Sequence, residues 1–369
     1  MYAVLALAWI VFSLTTDGIF MSVRNLSNLF LQTAAVSILA MGMVLVIVTR
    51  NIDLSVGSHV GAVGAAMGAL QFQHGGGAWS SICVALMMGI AVGCWHGFWV
   101  AYRRVPSIIV TLASMLALRG LSIAITQGQT QSPLNPDFLV LGQGYLMQFG
   151  LWRNDSTAVL AAVFLTVYLG ISVYGVYKTK QLNTSISRRW RPLANALMLS
   201  TLLLCGSAIW IAYRGIPYAM LIVLLIALVL QFLATKTVFG RQLYAIGGNP
   251  HAAEMSGVNV RFRLFGTFLL MGVIASFSAV VFTARVGGAS AGAGAMMELD
   301  AIAAAIIGGT SLSGGVGTIP GAFVGALVMA TLDNGMSLMN LDASYQLLIK
   351  GAILLLAVWF DIAQRKEST

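Results

Sequence analysis

"RQLYAIGGNPHAAEMSGVNVRFR", residues 241–263, interrupts an apolar chain. Upstream, Met220 to Ala234 is almost unbroken Leu, Ile, Val and Ala; from Leu264 the apolar run resumes. The passage between carries three arginines, one glutamate and a set of helix punctuation. Asn249 suits an N-cap, and Pro250 suits the first helical position, where a missing N–H costs nothing. Ala252, Ala253, Glu254 and Met255 are all accepted in a helix, and Gly257 fits the left-handed residue beyond its end. The spacing predicts a helix of about two turns over 249–256, in a polar loop between two apolar spans. So short a helix is marginal in water and needs a surface to lie on, either its own protein or another.

The rest of the composition sets the fold class. Hydrophobic residues make up 59% of the chain and charged residues 8%, against about 25% charged in an average soluble protein. A soluble domain so poor in charge could not cover its surface, so the chain reads as an all-α polytopic membrane protein. Forty glycines with seven prolines exclude a collagen-like chain, and glycine is common where membrane helices pack closely. The net charge of +9 comes from 20 basic and 11 acidic residues. The basic residues fall mainly between apolar spans, which is the positive-inside distribution rather than a nucleic-acid patch. Cys83, Cys94 and Cys205 lie within apolar runs and read as reduced packing residues. Apolar residues begin at Met1 with no basic segment before them, so no cleavable signal peptide is expected.

A span needs ~20 mostly apolar residues to cross ~30 Å of hydrocarbon. Expected spans are 1–16, 27–49, 54–72, 79–102, 106–126, 156–177, 196–213, 217–235, 264–284 and 344–361. The first is short and draws on Thr15 and Thr16. Four basic clusters should face the cytoplasm: Arg103 and Arg104; 178–191; Lys236 to Arg263; and Arg365 with Lys366. Crossings between successive clusters must then be even in number. The Gly-rich region 286–335 therefore contributes zero or two, and a re-entrant hairpin over 298–332 is expected. Ten crossings result, with both termini inside and loop 127–155 outside. They form a single transmembrane domain over 1–369, with halves at about 1–126 and 156–361 and a cytoplasmic loop at 236–263. Five spans per half means that related halves would have inverted orientations. "NIDLSVGSHVGAVGAAMGA" and "ELDAIAAAIIGGTSLSGGVGTIPGAFVGA" both set an acid ahead of a Gly/Ala-rich helix, an echo that composition alone can produce.

Missing motifs narrow the chemistry. The five lysines follow Tyr177, Thr179, Thr235, Ile349 and Arg365, so there is no Gly-Lys pair and no Walker A loop for nucleotide phosphates. His59, His74, His96 and His251 are scattered in sequence, with no metal-binding spacing. No serine, histidine and acid arrangement stands out. Asp53 and Asp300 stand at the starts of glycine-rich helices, where a carboxylate accepts orphan N–H groups and complements the dipole; Glu298 shares that status. The sharper alternative for these acids is proton or sodium coupling. Asn28, Gln32, Thr33 and Ser37 on the second span, with Thr111 and Ser114 on the fifth, either line a hydrophilic path or bond to neighbouring helices. "GGTSLSGGVG", 308–317, suits a broken hairpin whose open backbone is buried or faces a cavity; tight packing is the plainer account.

"AIGGNPHAAEMSGVNV", "NIDLSVGS" at 51–58, "VPSIIVTLASMLALRGL" at 105–121 and "ELDAIAAAIIGGTSLSGGVGTIPGA" at 298–322 resemble permeases of ABC importers for ribose, xylose and galactose. The resemblance covers nearly the whole chain. "LTTDGIFMSVRNLSNLFLQ", "WVAYRRVPS", "LDNGMSLM" and "IKGAILLLAVWFD" are most similar to its D-xylose branch. It implies a homodimeric permease of a bacterial inner membrane, served by a periplasmic sugar-binding protein and a cytoplasmic ABC ATPase. ATP and magnesium would sit on that ATPase, with no cofactor, catalytic residue or metal in this chain. The 249–256 helix would dock in the ATPase, and Gly247, Asn249, Ala252, Ala253, Glu254 and Gly257 match the family's coupling loop. The expected function is inward passage of a neutral monosaccharide, D-xylose. The rival is an ion-coupled secondary transporter with inverted repeats; an integral membrane enzyme ranks last.

Overall fold

A computed structural model describes residues 2–147, 154–163, 165, 166, 204 and 206–366. The 178–191 cluster and Cys205 lie outside the described residues, as do large parts of the expected spans 156–177 and 196–213. The helices before the loop 127–155 are α1 (Tyr2–Thr15), α2 (Val23–Val48), α3 (Val56–His74), α4 (Ala78–Gly97, running on into a π turn Phe98–Tyr102) and α5 (Ser107–Thr126). After it begins come α6 (Pro136–Gln143), α7 (Tyr218–Lys236), α8 (Val238–Gly248), α9 (Pro250–Met255), α10 (Val260–Val286), α11 (Met297–Ile307), α12 (Ile319–Leu338) and α13 (Ala343–Lys366). Among the described residues there is no strand; two isolated bridges, Gln131–Ala289 and Tyr145–Pro217, tie loops together.

Among the described residues, six helices have the length and apolarity to cross a membrane: α2, α4 with its π turn, α5, α7, α10 and α12. The expected spans included no full crossing in 286–335, yet α12 inside that region qualifies by itself. Burial sorts these helices by place. In α2, 83% of the apolar window is buried, against 28% in α5 and in α7. A helix apolar all round belongs at the centre of a bundle, and α2 packs against α7, α10, α11 and α12. At the periphery, Leu116 on α5 and Leu348 and Leu355 on α13 turn outward.

Small residues set the closest contacts. α10 lies along α4, where a Cβ on Gly93 would come within 2.8 Å of Leu269 Cα and the Phe268 carbonyl oxygen. A Cβ on Gly272 would meet Gly93 Cα at 2.9 Å. Only glycine allows backbones so near, and without a hydrophobic drive between helices in lipid such packing is what holds them. Polar pairs add direction. Asn25 Nδ2 donates to Asn334 Oδ1 at 2.8 Å, and Asn334 Nδ2 returns a bond to Asn25 Oδ1 at 3.1 Å, joining α2 to α12. Ser278 Oγ donates to the Ala35 carbonyl at 2.8 Å, joining α10 to α2.

α11 and α12 form a helical hairpin closed by the glycine-rich turn 308–318. Its tip reaches α2 and α8: Gly315 N–H donates to the Val48 carbonyl at 2.9 Å, and the Tyr244 hydroxyl donates to the Gly317 carbonyl at 2.8 Å. Outside the bundle, Asp342 caps α13 by accepting from the Ser344 amide at 3.0 Å and hydroxyl at 2.9 Å. Those two donors hold its carboxyl below the usual range.

Candidate coupling helix and polar cavity

The loop of residues 236–263 folds as its punctuation requires. Thr237 caps α8, accepting the Gly240 amide at 3.2 Å. The Asn249 side chain caps α9, accepting the Ala252 amide at 3.0 Å, with Pro250 in the first turn. At the other end Gly257 is left-handed, φ +83°. There Gly257 N–H donates to the Glu254 carbonyl at 2.9 Å and Val258 N–H to the Ala253 carbonyl at 3.1 Å. This is a Schellman closure. α9 buries Ala253 and leaves Ala252, Glu254 and Met255 exposed, Met255 at 77%. Its weak surface therefore faces away from its own protein.

Gly247 has a different place from its partners in the motif. It is buried where α8 ends, against the end of α2 and the hairpin tip. A Cβ there would overlap the Val48 carbonyl oxygen and the Gly315 nitrogen. Arg50 closes the junction: its Nε donates to the Gly247 carbonyl and an Nη to the Gly248 carbonyl, each at 2.7 Å. The chain bends sharply to allow this, with Arg50 at φ +62°, Gly314 at +85° and Gly315 at +76°. α2, α8 and the α11–α12 hairpin are thus fastened together one residue before the α9 cap. Arg50 and Tyr244 were not on the sequence-predicted site.

A cavity of about 300 Å³ lies at the opposite end of α10, between α2, α10, α11 and α12. Gln32, Arg285, Asp300, Asp333 and Ser337 supply its polar lining; Phe282, Met297 and Met329 supply apolar walls. Beside it, Lys350 Nζ on α13 lies 3.1 Å from Asp300 and 2.8 Å from Asp333. Asp300 is in the first turn of α11, but its carboxylate takes the ammonium and makes no capping bond; the capping expectation for it is corrected. A lysine about two turns into an otherwise apolar span needed such partners to be kept in the bundle.

The other path residues separate from Gln32. Thr33 is fully buried and its hydroxyl donates to the Leu29 carbonyl at 2.7 Å; Thr111 is likewise buried and donates to the Ser107 carbonyl at 2.9 Å. Ser37 and Ser114 are buried, and Asn28 is half-buried one turn before Gln32. These five do not line the cavity; Gln32 does. Glu298 is buried, with its carboxylate against Gly57.

The histidines are less scattered than the sequence suggests. α3 and α4 bring His59 and His96 into one buried set: Asp53 lies 3.6 Å from His96 Nδ1, and Ser276 Oγ lies 3.3 Å from His59 Nε2. The acid and the serine face different histidines, so no single relay joins them. Asp53 also accepts the Ser55 amide at 2.9 Å and hydroxyl at 2.6 Å, ordering the turn just ahead of α3. Among the described residues no group of three or more His, Cys, Asp or Glu could hold a metal ion.

The sequence is matched by one family model, described as the branched-chain amino acid transport system / permease component. It matches residues 25–358. The chain belongs to that family. Among relatives of this permease, the xylose transport system permease protein XylH of Escherichia coli K12 is 42% identical over all of this chain and 92% of its own length. XylH of Haemophilus influenzae is 41% identical over 96% of this chain and 93% of that one. The ribose import permease protein RbsC of E. coli K12 is 33% identical over 97% and 91%. No solved structure matches. With its apolar helices, the permease is a multi-pass protein of a bacterial inner membrane.

Proposed function

We propose that this chain is the membrane-spanning permease subunit of an ATP-binding-cassette importer that passes a neutral monosaccharide, D-xylose, into the cytoplasm. The observation that carries the coupling part is α9: capped at both ends, bound to the bundle by little more than Ala253, and presenting Glu254 and Met255. A separate ATPase would receive that surface, and a periplasmic binding protein would deliver sugar to the opposite side. The functional unit is a dimer of this chain. The sugar follows from the two full-length xylose permease relatives.

We infer ten crossings in two inverted halves of one domain, with the α11–α12 hairpin entering and leaving on the periplasmic side. Two contacts support the hairpin. Asp300 and Asp333, one on each leg, reach the same Lys350. The tip between them touches Tyr244 and Arg50's neighbours at the cytoplasmic loop. Pull on α9 then passes through the Arg50 junction to α2 and to both hairpin legs. These are three of the walls of the polar cavity.

The ion-coupled rival needs an acid free to bind sodium or a proton during each cycle. Asp300 and Asp333 already hold an ammonium, and Asp53 is engaged by Ser55 and His96, which leaves Glu298, whose buried Oε2 has no hydrogen-bond partner among the described residues, as the acid that reading would rest on. Uptake in inverted-control and right-side-out vesicles tests the choice, using a panel of labelled pentoses and hexoses. ATP-dependent uptake that survives an ionophore is the expected result; uptake abolished by the ionophore would replace this function with the secondary transporter.

A further inference from the structure

We propose that the cavity bounded by Gln32, Arg285, Asp300, Asp333 and Ser337 is a monosaccharide subsite, the first acceptor of sugar on the periplasmic side. The proposal rests on the sugar-permease function and names where that sugar is held.

Its position is set by helix lengths. Arg285 is 25 residues along α10 from Val260, roughly 37 Å at 1.5 Å per residue, so the cavity lies across the membrane from α9. Asp300 is in the first turn of α11, Asp333 is near the end of α12 and Gln32 is in the outer half of α2. If α9 faces the cytoplasm, this end faces the binding protein.

The lining suits a polyol better than an ion. Around the cavity two carboxylates, Asp300 and Asp333, are balanced by Lys350 and Arg285. An anion would meet the carboxylates and a cation the bases, whereas a neutral ligand pays no like-charge penalty. Each sugar hydroxyl both donates and accepts. Carboxylates can accept from it, the guanidinium can donate to it, and the Gln32 amide can do either. Arg285 Nε is buried and has no hydrogen-bond partner among the described residues, so it has a donor to give. The Phe282 ring lies 5.9 Å from that guanidinium and offers an apolar face to sugar C–H groups. The volume, about 300 Å³, falls at the small end of ligand pockets. Much of the polar lining is already paired, by Lys350 and by the Asn334–Gln32 contact at 3.4 Å. That favours weak binding, which release onward requires.

The test uses the permease co-expressed with its ATPase, with Cys83, Cys94 and Cys205 replaced and Ser337→Cys introduced. Ser337 is exposed at the cavity edge, so a small thiol reagent should label it. D-xylose, D-ribose and D-galactose are added in turn, and Gln129→Cys, on the loop after α5, serves as the control site. The expected result is slower labelling at position 337 with at least one sugar, and an unchanged rate at 129. Gln32→Ala and the space-filling Ala330→Phe should each lower uptake by about tenfold or more, the scale of one lost polar contact to a charged or well-placed group. A labelling rate at 337 indifferent to every sugar, in a permease whose uptake is intact, overturns the subsite and leaves the transport function standing. A parent complex that takes up no sugar with ATP overturns the function itself.

Discussion

Replacing Arg50 by alanine isolates the junction between α9 and the bundle. Alanine pays the same penalty as arginine at φ +62°, so the backbone strain is unchanged and only the side chain is lost. Two bonds go with it, both 2.7 Å, to the Gly247 and Gly248 carbonyls. The first is partly buried and charge-assisted, about 1.5 kcal/mol; the second is exposed and adds about 0.5 kcal/mol. The sum, about 2 kcal/mol, corresponds to roughly 30-fold in the balance between a fastened and a loosened junction. If α9 drives the membrane helices through this contact, Arg50→Ala should keep basal ATP hydrolysis but lower sugar uptake per ATP by about 10- to 30-fold. Arg50→Lys should recover only part, because one ammonium cannot fork onto two successive carbonyls. The assay is proteoliposomes containing permease and ATPase, supplied with sugar-loaded binding protein, with uptake and phosphate release measured on the same sample. An unchanged ratio in Arg50→Ala would refute transmission through the junction, whatever its effect on folding.

Glu254→Lys should insert normally yet lose transport, since like-charge contacts at an interface cost several kcal/mol; undiminished transport with a co-purifying ATPase would show that α9 is not the coupling element. Gly257→Val has open space around it but must hold φ +83°, a strain of about 1–2 kcal/mol, so it should weaken the same step, read as uptake per ATP. Lys350→Met leaves Asp300 and Asp333 facing each other; with water reaching the partly exposed Asp333, about 2 kcal/mol of stability should go. The detergent-solubilised unfolding midpoint should fall by several degrees and recover when both acids become asparagine, and a single variant as stable as the parent would contradict the ion-pair account. For topology, cysteine at Ser256 should react with an impermeant reagent only from the cytoplasmic side and cysteine at Gln129 only from outside; the reverse would invert the bundle.

Local rules carried the sequence a long way at helix ends. Asn249, Pro250 and Gly257 each specify a backbone state through their own side chain or its lack, so the α9 caps were legible one residue at a time. Five of the expected spans, 27–49, 79–102, 106–126, 217–235 and 264–284, were equally plain, because crossing hydrocarbon needs length and composition alone; 1–16, 54–72 and 344–361 are helical but fall short of that length or apolarity. What escaped were contacts between residues far apart in the chain. Lys350 was noted only for the isoleucine before it, although a cation on an apolar helix implies an anion nearby. Its partners are 50 and 17 positions away, and the second separation spans the loop between α12 and α13. His59 and His96 meet only because α3 and α4 fold back on each other. Gly247 was read as part of a docking motif; its constraint comes from Val48 and Gly315, which no pattern around residue 247 contains. Thr33 and Thr111 read as lining a path or bonding a neighbouring helix, because a hydroxyl in an apolar run is conspicuous; a helix can also absorb it by bonding to the carbonyl one turn back, as both do here.

The glycine seam between α4 and α10 bears on how a small displacement travels. Where Gly93 meets the backbone of Leu269 and Gly272, no side chain separates the two helices, so sliding there would drive backbone against backbone. They behave as one strut. α10 has 27 residues, a length of roughly 40 Å, and its first turn follows α9 by four residues. A tilt of about 5° pivoting at that turn would swing the far end by roughly 3.5 Å, farther than a hydrogen bond can stretch. Leverage of that kind needs stiffness more than strength, and a seam made of bare backbone supplies it.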